Sequence, residues 1–146
     1  MPHSQDNDMN ILLVEDNDLD VEILKRCLKK LGTPGSLVRA RDGIEALEIL
    51  KEDVHTKVLP RPYVILLDIN MPRMNGHEFL ATLRQDETLK AARVIVFTTS
   101  DSKKDVRTAY QNNANGYIVK PNSSSELQDV IHSLKDFLDI CKHPID

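Results

Sequence analysis

One short apolar segment constrains the fold of this chain more than any other feature. Residues 63–67 read Tyr-Val-Ile-Leu-Leu, without polar alternation, and they run directly into Asp68. A run of this kind is typical of a strand that is buried on both faces of a parallel sheet. Ligands of open α/β sheets bind outside the carboxyl ends of the strands. We therefore expect Asp68 to stand at a site of chemistry.

The same strand pattern recurs along the chain, and a helical pattern follows each strand. Asn17, Asp42, Ser102 and Ser123 are suited to cap the helices that they precede. Gly32 and Pro34 are expected to end the first helix, and Leu47, Leu50 and Val54 to lie on the second. This alternation predicts an α/β fold in which five helices cover both faces of one parallel sheet. The other strands are predicted at residues 11–14, 37–40, 94–97 and 116–119.

The last helix carries an apolar stripe that would pack on the sheet. Phe137 lies at the edge of this stripe and Ile140 lies well outside it. We interpret these two side chains as a contact surface for a kinase or for a second copy of the chain. A tail that folds back through Pro144 and Ile145 would be the alternative. The stripe comprises Leu127, Val130, Ile131, Leu134, Leu138 and Cys141.

Composition limits the class of protein. The 146 residues suffice for one domain, and the net charge of -4 argues against nucleic-acid binding. Cys27 and Cys141 fall in helical patterns, which favours buried or half-buried thiols over a disulfide framework. No segment has the pattern of a signal peptide or of a membrane span, so a cytoplasmic location is expected. We expect a flexible lead-in at residues 1–8, one domain at 9–141 and a tail at 142–146.

Four of the predicted strands are followed by or end in residues whose side chains can bind a metal ion or take part in a reaction. Glu15 and Asp16 follow the first strand, Asp68 the third, Thr98 the fourth and Lys120 the fifth. Clustered carboxylates favour a divalent cation, and oxygen ligands suit Mg²⁺ or Mn²⁺. Beside the cation, a lysine and a hydroxyl could cradle a phosphoryl group on an aspartate nucleophile. Each motif alone could equally be a turn, a helix start or a strand end.

Other common sites lack support in the sequence. His55, His77, His132 and His143 are scattered without metal-ligand spacing, so we interpret them as solvated or helix-surface residues. A glycine-rich phosphate loop, a nucleophile elbow and a Cys-x-x-Cys motif are all absent.

Taken together, the motifs resemble those of a response-regulator receiver domain. They are Val14-Glu15-Asp16, Leu67-Asp68-Ile69-Asn70-Met71-Pro72 with Gly76, Thr98, and Tyr117-Ile118-Val119-Lys120-Pro121. The resemblance covers the chain from Met9 to about Ile140. It implies a flavodoxin-like, doubly wound sheet with strand order 2-1-3-4-5. The long loop before the third strand, the Thr98-Thr99-Ser100 triplet and the extended last helix are most similar to the stand-alone regulators of bacterial phytochrome kinases.

The resemblance also implies roles for individual residues. Asp68 would accept a phosphoryl group from a kinase phosphohistidine, and Lys120 would pair with the phosphoryl oxygens. Asp16, Asp68 and the Asn70 backbone carbonyl would bind Mg²⁺. Glu15 departs from the commoner Asp-Asp pair, which leaves open whether it binds the ion directly or through water.

Further implications concern switching and the lifetime of the signal. Thr98 would be the switch hydroxyl and Tyr117 the switch aromatic, and the Lys120–Pro121 bond would be cis. Asn70 and Ser100 would flank the path of the water that removes the phosphoryl group.

The sequence also allows two rival functions and several partners. A haloacid-dehalogenase-type phosphatase also uses an aspartate, but it has a second aspartate where this chain has Asn70. A scaffold with an inactive site is a third reading. The expected partners are a sensor histidine kinase, for which the resemblance favours the phytochrome type, a histidine phosphotransfer protein, or a second copy in a homodimer.

Overall fold

The computed structural model describes residues 8–53 and 57–144, which form five strands alternating with five helices. The strands pair in parallel in the order β2-β1-β3-β4-β5. This confirms the predicted fold class and strand order. The strands are β1 (Asn10–Val14), β2 (Leu37–Ala40), β3 (Tyr63–Leu67), β4 (Val94–Thr98) and β5 (Gly116–Val119). The helices are α1 (Asp18–Leu31), α2 (Gly43–Leu50), α3 (Gly76–Gln85), α4 (Lys103–Gln111) and α5 (Ser124–Ile140).

The central strands are buried on both faces, as the apolar run at residues 63–67 predicts. Alternate residues of each strand point to opposite faces, so Ile65 and Leu67 enter one core while Val64 and Leu66 enter the other. Helices α2, α3 and α4 cover the first core, and α1 and α5 cover the second. The partly buried β2 lies at the edge of the sheet, as predicted.

Five helices begin at a polar side chain that accepts a backbone N–H three residues farther along. Four of these caps are the predicted ones. The cap of α3 was not predicted, and it forms a complete capping box with Glu78. The predicted capping box of α2 is only half formed. The Glu45 N–H donates to the Asp42 side chain at 2.9 Å, but the Glu45 carboxylate accepts the Arg41 N–H at 2.8 Å rather than the Asp42 N–H. The capping residues are Asn17, Asp42, Asn75, Ser102 and Ser123.

Several boundaries and contacts differ from the predictions or fall outside the described residues. Helix α2 ends at Leu50, earlier than predicted, and Val54 and His55 lie outside the described part of the chain. The same holds for residues 1–7 of the expected lead-in and for Ile145. Cys27 is buried and Cys141 is half-buried, and both are free thiols, as expected.

The prediction of a cis bond between Lys120 and Pro121 is wrong. The Lys120–Pro121 bond is trans. Among the residues that the structure describes, the cis peptide bond is the one between Arg61 and Pro62. The trans form is the lower in free energy for most X–Pro bonds.

The outer face of α5 exposes the two apolar residues singled out in the sequence. Phe137 is 56% exposed and Ile140 is 82% exposed, whereas the stripe residues Leu127, Ile131, Leu134 and Leu138 are buried. No helix within the described residues has both the length and the apolar character that crossing a membrane requires.

Candidate functional site

Three carboxylates meet at the carboxyl edge of the sheet, where the strand order reverses between β1 and β3. Glu15 and Asp16 follow β1, and Asp68 follows β3. One carboxylate oxygen from each residue lies within 4.8 Å of the other two. Asp16 is exposed, while Glu15 and Asp68 are only 2% and 8% exposed. The structure therefore brings together the three predicted acidic residues.

The backbone around Asp68 is fixed on several sides. Its N–H donates to the Val14 carbonyl at 3.0 Å, and its Oδ1 accepts the Ile69 N–H at 2.8 Å. The N–H of Gly76, at the start of α3, donates to the Ile69 carbonyl at 2.9 Å. A Cβ atom at Gly76 would lie 2.3 Å from the Asp68 carbonyl oxygen. Glycine is thus needed there for close packing against the aspartate.

The loop after β3 is anchored to the start of α2. Asp42, which caps α2, accepts two hydrogen bonds from the Arg73 guanidinium, at 2.6 and 3.1 Å. This contact lowers the pKa of Asp42 below its usual range. Asn70, whose carbonyl is the predicted fourth metal ligand, is exposed in the same loop. The anchoring limits the freedom of the loop beside Asp68.

Lys120 reaches the acidic cluster from the end of β5. Its Nζ lies 2.5 Å from Glu15 Oε1 and 3.1 Å from Asp20 Oδ2. Its backbone N–H donates to the Thr98 carbonyl at 2.7 Å, which fixes its position relative to β4. The role of Asp20 was not predicted, because an acidic residue in the first turn of a helix is common for dipole reasons alone.

Burial governs the charges in this cluster. Burial raises the pKa of Glu15 to about 7, where the Lys120 hydrogen bond opposes the rise and the Asp68 charge adds to it. Burial also disfavours the charged form of Lys120, yet the hydrogen bond and charge of Glu15, with the charge of Asp68, raise its pKa overall. The ammonium group therefore stays protonated and partly neutralises the carboxylates.

The two predicted switch residues flank one loop residue. Thr98, at the end of β4, is fully buried, and Tyr117 on β5 is partly buried. The Tyr117 hydroxyl donates to the Ser100 carbonyl at 2.8 Å. The Ser100 N–H in turn approaches Thr98 Oγ1 at 3.4 Å.

His77, which the sequence predicts as a solvated or helix-surface residue, lies on a helix and has a partner on a second helix. It lies on α3, its side chain is 21% exposed, and its Nε2 lies 3.1 Å from Asp105 Oδ1 on α4. A single sequence does not reveal that His77 has a partner on another helix, because strand β4 lies between His77 and Asp105 along the chain.

The described residues fit a small hard cation. The cluster supplies carboxylate oxygens, which Mg²⁺ and Mn²⁺ prefer, and like charges held this close favour a bound cation. A buried carboxylate, a protonated lysine and a buried hydroxyl at the same edge also suit the binding of a phosphoryl group.

The family pattern of the response regulator receiver domain matches residues 11–132. The chain belongs to the response-regulator receiver family. The prediction of a phosphoacceptor switch is confirmed at this level, and the comparisons give no support to the phosphatase alternative.

Curated relatives include two regulatory proteins. The chain is 38% identical to the probable methanogenesis regulatory protein FilR2 of Methanothrix harundinacea, over 87% of this chain and 81% of the relative. It is 35% identical to the response regulator Rcp1 of Synechocystis, over 87% of this chain and 86% of the relative.

Solved receiver structures have the same fold. The phosphorylated cyanobacterial phytochrome response regulator RcpA superposes with a TM-score of 0.84 at 34% identity, covering 94% of this chain and 99% of RcpA. The Mn²⁺-bound form of Rcp1 superposes with a TM-score of 0.81 at 30% identity, covering 94% and 99%. The predicted similarity to phytochrome response regulators is therefore confirmed.

Proposed function

We propose that Asp68 is the phosphoacceptor of this receiver domain. The supporting observation is the meeting of Glu15, Asp16 and Asp68 with Lys120 at the carboxyl edge of the sheet. A carboxylate oxygen of Asp68 attacks phosphorus, the P–N bond of a phosphohistidine breaks, and its electron pair returns to the imidazole nitrogen. The domain then catalyses only its own phosphorylation and dephosphorylation.

Asp16, Asp68 and the Asn70 carbonyl would hold Mg²⁺, with Mn²⁺ as a substitute, and Glu15 would act directly or through water. The cation would neutralise the charge that develops on the phosphoryl oxygens. Glu15 accepts a hydrogen bond from Lys120 at 2.5 Å. Contact with the cation through water would move the Glu15 side chain less than direct binding would.

Lys120 and Thr98 bind the phosphoryl group once it is attached. Lys120 exchanges its contacts with Glu15 and Asp20 for contacts with phosphoryl oxygens, so its buried ammonium group keeps a negatively charged partner. The Thr98 hydroxyl moves toward the phosphoryl group, and Tyr117 follows as the switch aromatic.

Two loop residues set the lifetime of the phosphoryl group. Asn70 and Ser100 follow the acceptor and the switch hydroxyl by two positions, and both are small and polar. Water access beside them limits the rate of hydrolysis.

The partners follow from the family and its relatives. Receiver domains take phosphoryl groups from sensor histidine kinases, and the similarity to RcpA and Rcp1 favours a phytochrome-type kinase. A histidine phosphotransfer protein is the alternative donor or acceptor. Phe137 and Ile140 form a contact surface for a homodimer or a kinase. We take residues 9–141 as the receiver domain and the cytoplasm as its location.

The test is phosphorylation by a small donor. Wild-type protein with acetyl phosphate and Mg²⁺ should gain one phosphoryl group by intact-protein mass spectrometry, and Asp68→Asn should gain none. Chelation of the cation should stop the reaction. Equal labelling of wild type and Asp68→Asn would refute the assignment.

A further inference from the structure

The loop between β4 and α4 contacts both proposed switch residues through a single residue. The Ser100 carbonyl accepts the Tyr117 hydroxyl at 2.8 Å, and the Ser100 N–H faces Thr98 Oγ1 at 3.4 Å. Any displacement of Ser100 therefore changes the surroundings of Thr98 and of Tyr117 together. Whatever holds Ser100 in place therefore also affects the two switch residues.

Asp105 on α4 holds the side chain of Ser100. The Ser100 hydroxyl donates to Asp105 Oδ2 at 2.6 Å, and His77 on α3 donates to Oδ1 at 3.1 Å. The Ser100 hydrogen bond, followed by the His77 contacts, lowers the pKa of Asp105. Asp105 is thus an ionised acceptor, and hydrogen bonds to ionised acceptors are roughly twice as strong as neutral ones.

We propose that Asp105 is a positioning residue of the phosphorylation site, which fixes the β4–α4 loop between α3 and α4 through Ser100 and His77. This inference rests on the proposed function and adds a residue to it. The hydrogen bond between Tyr117 and Ser100 exists without a phosphoryl group. The loop is therefore held in advance in the arrangement that receives the switch aromatic.

The consequence concerns the phosphorylated state. A loop released from Asp105 samples other positions, so the arrangement in which Thr98 contacts the phosphoryl group and Tyr117 is bound to the loop is less populated. Water then reaches the phosphoryl group more often. Loss of the Asp105 contact should shorten the phosphoryl lifetime, roughly fivefold if the coupling is of ordinary size.

A purely structural role for Asp105 must be separated from this one. Asp105 is also the third residue of α4, where its N–H faces the Ser102 cap at 3.3 Å and its charge favours the helix. Glu126 holds the equivalent place in α5, three residues after the Ser123 cap, and it is exposed. Glu126→Gln is therefore a matched control.

The experiment compares Asp105→Asn, Ser100→Ala, their double variant, and Glu126→Gln. Each protein is labelled with acetyl phosphate and Mg²⁺, and the loss of phosphoryl group is followed after the donor is removed. The Tyr117 ring signals are recorded by NMR in the unphosphorylated proteins, assigned with Tyr117→Phe. His77→Gln, which removes the other partner of Asp105, serves if Asp105→Asn does not fold.

Both single variants should lose the phosphoryl group about fivefold faster than wild type, and the double variant no faster than either. The Tyr117 signals should shift in both. Glu126→Gln should match wild type, and His77→Gln should show a smaller effect of the same sign. Wild-type lifetimes with unmoved Tyr117 signals in Asp105→Asn, or the same changes in Glu126→Gln, would overturn the inference.

The two failures can be told apart. A wild-type protein that takes no phosphoryl group contradicts the proposed function, and the Tyr117 signals still decide whether Asp105 positions the loop.

Discussion

Replacing Gly76 with alanine should displace the phosphoacceptor. An added Cβ atom would lie 2.3 Å from the Asp68 carbonyl oxygen and 2.8 Å from the Ile69 Cα, and both are backbone atoms. Backbone cannot rotate away as a side chain does. Reaching an ordinary contact of 3.4 Å requires the Asp68 backbone to retreat by about 1 Å. The substitution thus moves the residue that the proposed function needs most.

The magnitude follows from two opposing terms. Overpacking of this kind costs about 1–3 kcal/mol, whereas alanine in a helix recovers about 0.5–1 kcal/mol over glycine. The two terms leave a net loss of stability of about 0–2.5 kcal/mol, or up to roughly 8 °C in Tm for a chain of this length. A displacement of about 1 Å at a reacting group can cost about 100-fold in rate. Labelling by acetyl phosphate should therefore fall at least about tenfold.

Gly43→Ala is the matched control, because Gly43 is the first residue of α2 as Gly76 is of α3. Its added Cβ atom would meet the Met74 side chain at 2.7 and 2.8 Å and the Phe79 Cβ at 2.9 Å. The Met74 side chain is flexible and can move, whereas relieving the 2.9 Å contact with the Phe79 Cβ needs only a shift of about 0.5 Å between α2 and α3. The control should lose some stability by calorimetry but label at close to the wild-type rate.

The assay is the initial rate of phosphoryl gain in Mg²⁺ well below the Tm of each variant. Wild-type labelling by Gly76→Ala, or equal loss of labelling in Gly43→Ala, would refute the inferred contact with Asp68.

Three further predictions concern stability, lifetime and association. Asp42→Ala removes the α2 cap and the partner of Arg73, so it should cost about 1–2 kcal/mol at neutral pH by urea unfolding. Folding lowers the pKa of Asp42, so its ionised form stabilises the protein at pH values above the unfolded pKa of about 3.9. This stabilisation is lost as the pH falls through the lower pKa of the folded state. A stability difference between wild type and Asp42→Ala that did not change with pH would contradict this. Ser100→Arg should lose the phosphoryl group more slowly than Ser100→Ala, because both variants lack the hydroxyl that binds Asp105 and only arginine obstructs water, and equal decay rates in the two variants would count against the lifetime role. Phe137→Ser with Ile140→Lys should lower self-association or kinase binding at unchanged Tm, and unchanged sedimentation and phosphotransfer would leave the surface without a partner.

Local signals in the sequence account for most of the fold. The unbroken apolar run at residues 63–67 predicts a strand buried on both faces, and alternate residues of β3 do enter two cores. Polar caps such as Ser102 and Ser123 act within one turn of the chain, so a single sequence reveals them. The strand order came from the family resemblance, because pairing between strands is not encoded locally.

Contacts between distant segments could not be predicted in the same way. The three carboxylates can be predicted because they follow the ends of two strands, β1 and β3, and the ends of parallel strands share an edge. Asp20 and His77 carry no such signal, since their partners Lys120 and Asp105 lie on other elements. The cis bond expected at Lys120–Pro121 was wrong because it was carried over from the family rather than dictated by local sequence.

The most direct test of the central claim is to locate the phosphoryl group. Protein labelled with acetyl phosphate in Mg²⁺ is reduced with borohydride, which converts an aspartyl phosphate to homoserine, and the peptides are mapped by mass spectrometry. The proposed function predicts homoserine at position 68 alone, and none without the cation. Homoserine at position 16, or reduction at Glu15, or no modified residue in labelled protein, would contradict the assignment of Asp68 as the phosphoacceptor.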